Sequence, residues 1–88
     1  MLVGESSKYR DEFLRRVREA RNAVGYTQIE ISDLLGIPQG HYKQYETRSM
    51  MPHELIPRFC LATRVSIEWL MTGRGAEHPF RVRHRKSE

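Results

Sequence analysis

The chain has 88 residues, one cysteine and a formal net charge of +4 at pH 7. A chain near this length buries only about 60 to 65% of the surface it exposes unfolded, so one small domain fits and a deep catalytic cleft beside a core does not. Cys60 alone excludes a disulfide framework and a Cys-based zinc site.

The first helix is predicted over 8–24, capped by Ser6 or Ser7 and ended by Gly25, because Phe13, Leu14, Val17, Ala20, Arg21 and Val24 recur at spacings of three and four. One arginine, Arg21, interrupts this apolar stripe. Thr27-Gln28-Ile29-Glu30 is a capping box that opens a second helix to Leu35, with Ile31, Leu35 and the small Ser32 on one face and Gly36 stopping it. Only Gly36 and Ile37 precede the third helix, about Pro38 to Glu46 or Thr47, so the two helices meet at a sharp corner. Pro57 belongs in a first helical turn. It places a fourth helix over 54–63 with Ile56, Phe59, Cys60 and Leu55 inward. Ser66 caps a fifth helix to Thr72, where Val65 and Leu70 have the spacing of a hydrophobic staple, Trp69 is the largest anchor and Gly73 closes the end.

The expected architecture is therefore all-α, with five short helices around one core in residues 1–73 and a basic tail over 74–88. Residues 1–72 hold ten Lys/Arg against nine Asp/Glu, so most of the positive excess lies in the tail, on Arg74, Arg81, Arg83, Arg85 and Lys86. Such a tail attracts phosphate or an anionic surface, or serves solubility alone. Phe80-Arg81-Val82-Arg83 alternates with period two, the pattern of a disordered end or of a short strand that pairs two chains. No apolar run approaches the roughly 20 residues of a membrane helix and no secretory signal pattern opens the chain. A cytoplasmic, nucleoid-associated protein is expected.

A helix, a tight glycine-containing turn and a second helix over 27–46 form the arrangement that enters the major groove of DNA. On the third helix Tyr42 and Tyr45 share one face, while Gln39, Gly40, Lys43 and Gln44 share the other. An amide donates and accepts at once, matching adenine N6 and N7, and a lysine donates to guanine O6 and N7 or to phosphate. These four residues are the candidate base readers. His41 is either a phosphate or guanine contact or an exposed histidine without that role.

The ordered set Arg21, Gly25-Tyr26-Thr27-Gln28, Ile31-Ser32, Leu35-Gly36-Ile37, Gln39, Tyr42, Tyr45-Glu46 and Val65-Ser66-Ile67-Glu68-Trp69-Leu70 resembles the Cro and phage-repressor type of helix-turn-helix regulators, the xenobiotic-response-element family, across residues 13–73. The resemblance implies a five-helix lambda-repressor-like DNA-binding domain. It implies that Thr27 starts helix two and that Gln28 touches the DNA backbone and buttresses the first residue of the recognition helix. It also implies a partly buried ion pair between Arg21 and Glu46, which accounts for the charge in the first stripe. Family members often dimerise through the end of helix five, here near Trp69, and Phe80 and Val82 are further candidates for a dimer surface. Three residues depart from the family pattern. Pro38 replaces a Ser or Thr cap, Gly40 stands where a base-reading side chain is common, and Thr47-Arg48 replaces a glycine-containing turn, which makes Arg48 a candidate phosphate contact.

The expected function is a dimeric regulator, most simply a repressor, of a palindromic operator in double-stranded DNA. The rival is an antitoxin-type interaction module that binds a toxin partner and autoregulates its operon, served by the apolar Ile29 and Leu34 of helix two and by the basic tail; a polymerase contact would instead belong to an activator. Glu30, Asp33, His41 and His53 make no nucleophile-base set, so no enzyme is expected. His53, His78 and His84 have no ligand spacing with one another or with Cys60, so neither metal nor cofactor is expected.

Overall fold

Helix α1 runs over Leu2–Val24 in the computed structural model, which describes residues 2–78, with side chains from Lys8 onward. Ser6 and Ser7 thus lie inside the helix and do not cap it. A serine starts a helix only where the residues before it cannot continue one; none of residues 2–5 is a proline, and an interior serine costs only about 0.5 kcal/mol. The C-terminal end is sharp. Gly25 adopts φ 82°, and the N–H groups of Gly25 and Tyr26 return to the carbonyls of Asn22 and Arg21 at 3.0 and 3.3 Å.

Helix α2, Gln28–Leu35, opens on the capping box: Glu30 N–H donates to Thr27 Oγ1 at 3.1 Å, and Thr27 N–H donates to Glu30 Oε1 at 2.9 Å. It closes as α1 does. Gly36 has φ 73°, and the N–H groups of Gly36 and Ile37 bond the carbonyls of Asp33 and Ser32. Helix α3 is Gln39–Thr47, with Pro38 standing before it in an extended conformation and giving no side-chain cap. The helix therefore begins at Gln39 and not at Pro38.

The expected fourth helix is divided. A single 3₁₀ turn, His53–Leu55, leads into α4, Ile56–Thr63. Pro57 is the cause. Its ring nitrogen has no hydrogen to donate to the His53 carbonyl, and the Ile56 N–H takes that carbonyl one residue earlier. Helix α5, Ile67–Thr72, starts at Ser66, whose Oγ accepts from the Trp69 N–H at 2.9 Å, and ends at Gly73 with φ 79°.

Helix α1 packs against α3, α4 and α5, and α2 packs against α3 and α4. Phe13, Val17, Ala20, Ile31, Leu35, Tyr42, Phe59 and Leu70 fill the centre, with the rings of Tyr42 and Phe59 stacked at 6.5 Å. Met51 joins this core while Met50 is exposed. Trp69 is 9% exposed and belongs to the monomer core, so an open dimer surface at α5 would have to use its neighbours. Thr63, not anticipated inside, is buried with its hydroxyl donating to the Phe59 carbonyl at 2.8 Å. There is no strand among the described residues.

Arg16 was also hidden from the pattern. It is 5% exposed, and its Nε and Nη2 donate to the carbonyls of Leu70 and Met71 at 2.8 and 3.3 Å. The Tyr9 hydroxyl also donates to Met71 O, at 2.6 Å. Together they satisfy the carbonyl end of α5 and fasten it to α1. Residues 74–78, expected to begin the tail, turn back on α5: the Ser66 N–H and Oγ donate to the carbonyls of Glu77 and Ala76, both at 3.0 Å. Phe80, Val82 and the later basic residues lie outside the described residues.

Candidate nucleic-acid interface

The corner between α2 and α3 sets the site. Left-handed Gly36 makes the turn, Ile37 packs against the core, and Arg58 of α4 donates to the Leu35 carbonyl at 2.9 Å. Arg58 escaped the sequence reading because an arginine on the outer side of an amphipathic helix looks like a solvated charge. Its partner lies 23 positions earlier.

The two sides of α3 are chemically distinct. Tyr42 and Glu46 are buried and Tyr45 is half-buried, whereas Gln39, Gly40, His41, Lys43, Gln44, Thr47 and Arg48 are exposed. Apart from its chain neighbours and the backbone of its own helix, no atom lies within 4 Å of where a Gly40 Cβ would stand, so the backbone at the start of α3 is open to approach. Arg48 follows the helix with φ −148°, and the N–H groups of Arg48 and Ser49 both return to Gln44 O. The chain leaves α3 without glycine because no left-handed residue is needed there.

Glu46 holds the back of this surface together. Arg21 Nε donates to Glu46 Oε2 at 2.6 Å and Arg21 Nη2 to Oε1 at 3.0 Å; the Tyr42 hydroxyl donates to Oε2, and Gln28 Nε2 to Oε1 at 3.1 Å. Arg21 Nη1 also bonds the Tyr26 carbonyl at 2.8 Å. One carboxylate, only 3% exposed, thereby joins α1, α2 and α3. Burial opposes its charge, but the bonds from Arg21, Tyr42 and Gln28 outweigh that and hold the carboxyl below the usual range. The bond to Glu46 raises the Arg21 guanidinium against desolvation, and burial followed by the Glu46 bond pushes the Tyr42 hydroxyl up.

The electrostatic result is simple. Glu46 is the only acidic residue between Asp33 and Glu54, and it points inward to a guanidinium. The outward side of α3 carries amides, Lys43 and Arg48 with no carboxylate to repel a phosphate. Gln28, expected to buttress the first residue of the recognition helix, donates to Glu46, and Gln39, the first residue of α3, is exposed. Thr27 is exposed at the start of α2. Ile29 and Leu34 are exposed on the outer side of α2.

No set of three or more ligand-type side chains that could hold a metal occurs among the described residues, and no helix among them is long and apolar enough to cross a membrane. A family model described as the bacteriophage CI repressor helix-turn-helix domain matches residues 13–78. No curated protein and no solved structure matches the chain significantly.

Proposed function

Because the chain belongs to the bacteriophage CI repressor helix-turn-helix family, and is thus a DNA-binding transcription regulator, we infer that it acts as a dimeric repressor of a palindromic operator. The observation that carries this reading is the outward side of α3, where amides and cations stand and the only carboxylate has been withdrawn. Gln39, Lys43 and Gln44 read base edges, and Gly40 lets the backbone come close. Thr27, Gln28, His41 and Arg48 contact the DNA backbone. Two-fold symmetry sets the two recognition helices about 34 Å apart, one turn of the duplex. The DNA-binding unit is residues 1–73, with 74–88 adding positive charge.

The test is fluorescence anisotropy on the DNA upstream of the protein's own gene and on a shuffled copy, across a salt series. A preference of about 10³-fold or more is expected for an operator. Gln44→Ala should relax preference at one base pair by about 1 to 3 kcal/mol, while Arg48→Ala weakens all sequences alike and lowers the salt slope by about 1. Equal losses for both variants on specific and random DNA would remove Gln44 as a reader. Weak, steeply salt-dependent binding to both DNAs would instead favour the antitoxin reading, in which the exposed Ile29 and Leu34 face a toxin.

Gly40→Ala separates stability from binding. Alanine at this open helical position should stabilise the fold by about 0.5 to 1 kcal/mol. It should also weaken operator binding, since a methyl group would stand in the approach of the groove. A variant that gains stability and binds as before would remove close backbone approach from the mechanism.

A further inference from the structure

An apolar groove of about 590 Å³ lies between α4 and α5, lined by Pro57, Cys60, Leu61, Arg64, Val65 and Ile67. Leu61 is 80% exposed and Ile67 50%, so aliphatic carbon meets water there. A standard protein–protein interface uses roughly 20 to 30 residues a side. The groove formed by the described residues is smaller than that and suits a few inserted side chains instead.

The course of the chain indicates which. After Gly73 the backbone reverses, and the Ser66 N–H and Oγ hold the carbonyls of Glu77 and Ala76 at 3.0 Å. Ser66 lies between Val65 and Ile67, both of which line the groove. The chain at residue 77 is thus held at Ser66, between two residues of the groove lining, and its next two large apolar residues are Phe80 and Val82. At about 3.3 Å per residue an extended chain could carry them no further than roughly 10 to 17 Å from that point.

We propose that this groove is the docking site of the chain's own Phe80 and Val82. If the segment docks extended, their period-two spacing would put both on one side and Arg81 and Arg83 on the other. Charge selects the same orientation. Among the described residues the one charged residue lining the groove is Arg64, which repels an inserted arginine and leaves the apolar side to enter. Docking removes water from Leu61 and Ile67 and holds Arg81 and Arg83 outward. The proposal does not depend on DNA binding, and neither does its test.

The experiment is a double-mutant cycle in the full chain, read by thermal melting of Phe80→Ala, Leu61→Ala and the double variant. Leu61 is exposed on a helix, so its alanine variant still folds. Each single change should lower Tm by about 4 to 8 °C, and the double variant should melt close to the lower single. An unchanged Tm for Phe80→Ala, or shifts that simply add, would overturn the docking. Cys60 supplies a second readout: its labelling by a thiol reagent should quicken several-fold in Phe80→Ala, and an unchanged rate counts against the proposal. If the Phe80 effect disappears on dilution, the segment comes from a second copy and own-chain docking is wrong.

Discussion

Glu46→Gln is expected to destabilise the protein by roughly 3 to 5 kcal/mol, because it leaves the partly buried Arg21 guanidinium without its counter-charge and aims an amide hydrogen at other donors. Glu46 receives Arg21 twice, Tyr42 and Gln28, and is 3% exposed, so little water can replace what is lost. Tyr42→Phe removes one hydroxyl and should cost nearer 1 kcal/mol. Urea denaturation measures both. A loss under about 1 kcal/mol for Glu46→Gln would mean that the cluster is effectively hydrated.

The same carboxylate predicts a pH dependence with a definite sign. Its folded value is held below the unfolded one of about 4.3. Its stabilisation is therefore fully present above the unfolded value and is lost as pH falls through the folded value. The gap between wild type and Glu46→Gln should narrow on acidification below about pH 4. A constant gap through that window would assign the loss to packing and not to charge.

Arg16→Ala should be the second large effect, at about 3 kcal/mol, since it takes a charged donor from two carbonyls and opens space beneath α5. For a domain of this size that lowers Tm by roughly 12 to 24 °C. Arg15→Ala is the control. Arg15 is exposed, its partner Glu19 lies one turn away at 3.2 Å, and such surface pairs contribute about 0 to 1 kcal/mol. Similar losses for the two variants would deny Arg16 its fastening role.

These two arginines also mark what the sequence discloses. Arg21 was legible because it stands within an apolar stripe, where a charge demands a partner. Arg16 lies at the edge of that stripe, where a long side chain can run its stem along the core and extend its head past it. Its acceptors are main-chain carbonyls 54 and 55 positions away, which no local pattern reveals. Caps and corners were legible for the opposite reason. Thr27 with Glu30, Ser66 with Trp69, and the left-handed Gly25, Gly36 and Gly73 act within a few residues of themselves. The start of α1 was misplaced because two serines resembled a cap while nothing before them forbade helix. The groove was invisible, since whether Leu61 is covered depends on how α4 meets α5.

The division of α3 into two sides has a consequence for descent. Tyr42, Tyr45 and Glu46 bind the helix to its neighbours, while Gln39, Gly40, Lys43 and Gln44 bury nothing within the chain. Apart from the gain expected when Gly40 itself is replaced, exchanges at such exposed positions usually alter stability by no more than about 0.5 kcal/mol. Lineages can accordingly diverge on the outer side of this helix while selection for a folded protein acts almost entirely on the inner one.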